Sequence, residues 1–315
     1  MKPLPHSSHV QRAAGLIALC WLGSVAAGAA YGEKVLVICP AGTEAFAETM
    51  EGMRRLAARP AVELVVLDPG SGTFQAELRR ALEQSPRAAV TVGSEAMKSA
   101  QHLPVSVPVI RTMVLQSADQ KSSAEPDPGR QAGGAVYLDV PVSQVLSAVK
   151  KAFPGKARVG IILGPAYSSS TAEEMQAQAV AQGWKASVVN CPSPEDLIRI
   201  FLSFRGKADF VLTLPDSQLY NSATVKPLVL ASIENRLPLI GFSASFVRAG
   251  AAVGVFPDFK SVGAQTAELI QRCVAGHECT ARETPRVLVT AVNQRVARLI
   301  GLQFSESAPE LVVVR

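Results

Sequence analysis

From Gly32 onward the chain alternates short apolar runs with amphipathic stretches, and no other feature restricts its folding as strongly. Residues 34–39 (KVLVIC) are short, rich in Val and Ile and followed by Pro40, which predicts a buried parallel strand. Residues 45–58 carry Phe46, Met50, Met53 and Leu56 at helical spacing. A strand is predicted at 62–67, closed by Asp68-Pro69-Gly70, then a helix at 74–82 and a strand at 88–92. Gly93-Ser94 opens the next helix, and 109–114 is a further strand. This βαβαβαβ order demands a parallel sheet with helices on both faces.

Residues 116–134 (QSADQKSSAEPDPGRQAGG) are polar and rich in Pro and Gly, which predicts a long surface loop. The alternation restarts with a strand at 135–138, a helix at 142–153 and a strand at 158–163. A helix at 171–182, a strand at 185–189, a helix at 194–204 and a strand at 210–214 follow, then a helix at 224–234 and a strand at 239–241. The last third offers a strand at 252–256, a helix at 261–275 and a strand at 286–289. These are too few to build an independent core, so they must complete sheets already begun. The fold class is therefore α/β: two doubly wound parallel-sheet lobes joined by a hinge of several chain crossings, with a cleft between them.

The beginning of the chain has a different character. Lys2 and Arg12 precede the apolar residues 13–30 (AAGLIALCWLGSVAAGAA), which end in Ala27-Gly28-Ala29. This pattern predicts a secretory signal peptide over 1–29, cleaved near Ala29, and hence a periplasmic protein. Its strongly apolar centre spans roughly ten residues, short of the roughly 20 that a spanning helix needs. A lipid anchor at Cys20 is disfavoured by bulky Leu19. Without the leader the formal charge of +5 falls to +3, and no Lys/Arg cluster is interleaved with aromatics, so no nucleic-acid partner is expected. Export makes a disulfide between Cys273 and Cys279 feasible across the short Val-Ala-Gly-His-Glu turn, whereas Cys39 and Cys191 end apolar strands and read as buried thiols.

Ligands of open parallel sheets sit beyond the carboxyl ends of the strands. Those segments are poor in catalytic groups and rich in hydroxyls, amides and helix starts. Ser94, Ser168, Ser169, Ser170 and Ser217 stand where they either cap helices or face a ligand, and several helix starts aimed at one cleft suit an anionic group. Asp216 ends a strand and suits an ammonium or hydroxyl-bearing ligand, or else caps a turn. Tyr167 and Phe242 suit a pocket wall or packing at the lobe edge. Outside the leader only His102 and His277 remain, and no G-x-S-x-G, H-E-x-x-H, P-loop or dinucleotide fingerprint occurs. The expectation is binding without chemistry and without a cofactor or metal.

The chain resembles the substrate-binding proteins of ABC transporters with the type I periplasmic-binding fold, in the subgroup that includes binders of aromatic amino acids. The resemblance runs from about Lys34 to Leu302. It rests on Val92-Gly93-Ser94-Glu95-Ala96-Met97, the strand leading to Ser117, LTLPDS at 212–217, Gly250-Ala251-Ala252, Gly263-Ala264-Gln265 and the ending around Val292-Asn293 and Ala297-Arg298. It departs from the family at Gln116-Ser117, where Asp-Pro is common, and at Tyr167-Ser168-Ser169, where Glu-Asn-Ser is common. The resemblance implies ligand contacts at Thr43, Ser94, Ser117, Ser168, Ser169, Asp216 and Asp258. It also implies a monomer that closes on an amino acid or another small polar solute and docks on an ABC permease. The expected lobes are 33–134 plus 258–279 and 135–257 plus 280–315. A periplasmic sensing subunit for a receptor or kinase would use the same fold, and an exported α/β enzyme is the more distant alternative.

Overall fold

In the first lobe, every side chain of the strand β1 (Glu33–Ile38) from Val35 onward is buried, because the strand has a helix layer on each face. Val35 and Val37 point to one core, Leu36 and Ile38 to the other, as the two-residue period of a strand requires. The chain is described by a computed structural model covering residues 32–57, 62–122, 133–305 and 311–314. The expected leader lies outside the described residues.

After β1 come α1 (Glu44–Ala57), β2 (Val62–Leu67), α2 (Phe74–Glu83), β3 (Ala88–Val92), α3 (Gly93–Lys98), β4 (Val109–Val114), α4 (Gln116–Ser122) and β5 (Ala135–Tyr137). The second lobe continues with α5 (Val142–Ala152), β6 (Arg158–Leu163), α6 (Ser169–Ala181), β7 (Lys185–Asn190), α7 (Leu197–Ser203), β8 (Phe210–Thr213), α8 (Val225–Glu234), β9 (Leu239–Gly241), α9 (Ala244–Ala249) and β10 (Val253–Pro257). The chain ends with α10 (Phe259–Val274), β11 (Arg282–Glu283), β12 (Leu288–Asn293), α11 (Gln294–Ile300) and β13 (Leu311–Val314).

Two sheets result. One has the order β11-β5-β4-β3-β1-β2, the other β13-β12-β10-β9-β8-β6-β7. All pairings are parallel except β10 with β12, where Val253 faces Val292. In the second sheet Ile161 packs under α5 and α6 while Ile162 packs under α7 and α8, repeating the two-faced plan of the first.

The final third completes both sheets, as its short element list requires. Helix α10 returns to the first lobe and crosses α1 at very close range. A Cβ on Gly52 would lie 2.0 Å from the Lys260 carbonyl oxygen, and one on Gly263 would lie 2.0 Å from that of Thr49. Only glycine at both positions allows this approach. Cys273, near the end of α10, is bridged to Cys279, with Cα atoms 4.8 Å apart.

Three features correct the reading from sequence. Strand β5 does not open the second sheet: Arg111 pairs with Ala135 and Thr112 with Val136, so 135–137 belongs to the first lobe. Strand β11 pairs with β5 and places 282–283 there too. A short apolar run fits either sheet, and only its partners decide. The segment from 116 begins as helix α4, held by buried Asp119, and does not begin as loop. The chain consequently crosses between the sheets three times: at 138–141, at Asp258, and at 284–287.

Candidate binding cleft

The end of β4 is set by a bulge. Met113 is buried with φ 59°, a left-handed backbone that non-glycine residues rarely adopt, and the register with β5 shifts between Thr112 and Val114. The bulge turns the chain so that Leu115, Gln116 and Ser117 enter the space between the lobes. Helix α4 is pinned from behind: the Tyr137 hydroxyl donates to Asp119 Oδ2 at 2.6 Å, and Arg111 Nε lies 3.2 Å from Asp119 Oδ1. Burial, reinforced by the Asp119 bond, pushes the Tyr137 hydroxyl up to about 12.

The first crossing carries Asp139. Its Oδ2 accepts the Gln116 N–H at 2.7 Å, tying the crossing to the start of α4. Burial raises its carboxyl above the usual carboxylate range, and hydrogen bonds from the Gln116 and Asp139 backbone offset only part of that.

In the second lobe, β6 leads through Gly164 and Tyr167 to Ser168, which stands extended at the start of α6. Ser168 Oγ lies 2.9 Å from Ser170 Oγ and 2.8 Å from Thr171 Oγ1. The Tyr167 hydroxyl donates to the Pro215 carbonyl at 3.1 Å and is pushed up first by burial, then by the charges of Asp139 and Asp216. Gln178 Oε1 accepts the Ser143 N–H at 3.3 Å and locks α6 against α5.

These elements enclose a cleft of about 550 Å3. The first lobe contributes Leu115, Gln116, Ser117 and Gln120, and the crossings contribute Asp139, Pro141 and Thr284. The second lobe contributes Tyr167, Ser168, Thr171, Glu174, Gln178 and Leu214. A cleft of this volume has the size of a small-molecule site, and its lining mixes apolar side chains with many polar ones, which suits a polar solute.

Of the residues expected at the site, Ser117, Tyr167 and Ser168 line the cleft. Asp216 stands behind it. It is 5% exposed, its Oδ2 accepts the Ala166 N–H at 3.0 Å and its Oδ1 the Gln218 N–H at 2.8 Å. A Cβ on Gly164 would meet Oδ2 at 2.2 Å, so glycine there makes room for this carboxylate. Asp216 thus holds the two loops of the second-lobe wall together and is not among the lining residues. Thr43 and Asp258 likewise cap helices: Thr43 Oγ1 accepts the Phe46 N–H at 3.2 Å, and Asp258 Oδ1 the Ser261 N–H at 2.7 Å. Ser94 is exposed on the first turn of α3 and is not among the lining residues. The side chain of Ser169 lies outside the described residues.

Asp139, Gln120, Glu174 and Gln178 were missed from sequence. The rule of strand carboxyl ends does find Asp139, the residue that follows the strand predicted at 135–138. The other three lie on helix faces, for which that rule has no signal. Cys39 and Cys191 are buried, with thiols raised by burial. Among the described residues, no group of three or more His, Cys, Asp and Glu is placed to hold a metal ion.

Two α/β lobes, three crossings and a cleft walled from both sides define a two-lobed cleft protein of the type I periplasmic-binding fold. The model of the ABC transporter substrate binding protein family matches residues 72–308, and the chain belongs to that family. Solved structures of similar fold include the ligand-free, open form of a substrate-binding protein with adhesive properties from Clostridium difficile. That likeness has 14% identity and a TM-score of 0.67, covering 90% of this chain and 99% of the other. A conserved domain protein from Vibrio cholerae is similar at 18% identity and TM-score 0.57, covering 90% and 99% of the two chains. An ABC domain from Streptococcus pneumoniae in complex with L-Trp is similar at 16% identity and TM-score 0.57, over 89% and 100%. No curated protein shows a significant match. Among the described residues, no helix is long and apolar enough to cross a membrane.

Proposed function

We propose that this protein is the exported solute-binding component of an ABC importer, holding one small solute between its lobes and presenting the closed form to a membrane permease. The observation that carries this reading is the 550 Å3 cleft, lined at once by α4 of one lobe, α6 of the other and two of the three crossings. A ligand touching all of these contacts more protein when the lobes are closed, and it shifts the population only by that difference in affinity. The family supports the pairing with a permease. The sequence pattern that predicts a leader over 1–29 supports export to the periplasm, membership of a substrate-binding family supports binding without turnover, and a monomer fits the self-contained cleft.

Thermal melting of the purified protein against amino acids, amines, sugars and organic anions tests the reading. A true ligand at 100-fold excess over its Kd adds about 2.7 kcal/mol, a rise of roughly 5–10 °C for a chain of this size. Failure of every solute class to move the melt would remove the binding role.

A further inference from the structure

The cleft is charged in one sense only. Asp139 and Glu174 are its acidic residues, and among the described residues lining it there is no Lys, Arg or His. The connections from strand ends into the following helices hold Asp68, Asp139, Asp196, Asp216 and Asp258 and, among the described residues, no Lys or Arg. Lys260, just beyond Asp258, lies 3.0 Å from Glu51. The amino end of α6, marked by Ser168 and Thr171, opposes this with about half a positive charge. Two carboxylates outweigh it.

Burying a charge is costly unless an opposite charge meets it, so the sign of the wall selects the sign of the solute. Asp139 sits half-buried in the crossing segment, and Glu174 lies one helical turn beyond Thr171 on the same face of α6. The same lining includes the apolar Val140, Val142, Met175 and Leu214 beside the uncharged polar Gln116, Gln120 and Gln178. That combination needs a cationic head and a hydrocarbon body.

Resting on the binding-protein reading above, we propose that the cleft takes an organic ammonium ion without a carboxylate, its head against Asp139 and its body on Val140, Met175 and Leu214. A carboxylate on the same solute would face two like charges with only a helix end to offset them.

Calorimetric titration of the purified protein with matched probes tests this. Phenethylamine, L-phenylalanine and 3-phenylpropionate share one hydrocarbon body and differ in the amine and carboxylate; choline adds a quaternary cation and glucose a neutral polyol. The amines should bind about tenfold or more tighter than L-phenylalanine, and 3-phenylpropionate should not bind. Asp139→Asn should weaken amine binding about tenfold with the circular dichroism spectrum unchanged, and Glu174→Gln, on an exposed helix face, should weaken it severalfold. Tighter binding of L-phenylalanine or 3-phenylpropionate than of phenethylamine would overturn the proposal, as would full amine affinity in folded Asp139→Asn. Glucose binding without amine binding would leave the solute-binding role standing and sink the cation. Silence from every probe would count against both.

Discussion

Two carboxylates at strand ends, Asp139 and Asp216, have opposite environments and should respond oppositely to substitution. Asp216 is engaged by the Ala166 and Gln218 amides, so Asp216→Ala leaves two part-buried donors without their acceptor. The expected cost is about 1–3 kcal/mol, read as a fall of several degrees in the melting temperature without ligand. Asp139 is held at the cleft against burial, which favours its protonated form. A raised carboxyl in the folded state means that its contribution to stability is greatest below the ordinary Asp value and is lost as pH rises through the raised one. Asp139→Asn keeps an acceptor for the Gln116 amide and removes the charge. It should therefore raise the neutral-pH melting temperature, and that gain should fade as the buffer is taken below about pH 4. A pH-independent difference between the two proteins would remove the electrostatic explanation.

At the scale of elements, the unit that matters most is β4 with its bulge and α4. The helix is short and polar, and its position depends on the buried contact of Asp119 with Tyr137 and Arg111. Tyr137→Phe should cost about 1.5–3 kcal/mol in urea unfolding, the range for a bond to a charged acceptor. It should also weaken ligand binding through the displaced Gln116 and Ser117. The third crossing is anchored differently. Arg286 reaches Glu268 and Glu283 at 2.6 Å each, and Glu283 also accepts from Arg272 and Gln265. Burial alone would raise the Glu283 carboxyl, but the bonds from Gln265, Arg272 and Arg286 outweigh it and hold it low. This contribution is present above the ordinary Glu value and is lost as pH falls through the lowered one. The Cys273–Cys279 bridge closes a short loop on α10, and neither cysteine is among the residues lining the cleft. Replacing both cysteines by alanine should cost roughly 2 kcal/mol and leave ligand affinity unchanged.

For the whole molecule, the proposed closure requires the three crossings to let the lobes move while the cleft walls stay built. Small-angle scattering should report a smaller radius of gyration when a ligand saturates the cleft, and an unchanged radius would separate binding from closure. Most strands and helices of both lobes were legible in the sequence, because a buried parallel strand must be short and apolar on both faces and its crossover helix must carry one apolar stripe. Residues 62–67, 88–92, 109–114 and 158–163 became strands over the boundaries their composition predicts. The same signal misplaced β5, since Ala-Val-Tyr satisfies either sheet and only pairing with Arg111 and Thr112 settles the choice. It also put Asp216 in the cleft, because a carboxylate after a strand looks alike whether it meets a ligand or two backbone amides. The site is thus the part least determined by sequence. Local periodicity sets which segments bury their side chains, whereas the converging of Gln116, Asp139, Tyr167 and Gln178 depends on a bulge, a crossing and a helix packing, all of them contacts between residues far apart in the chain.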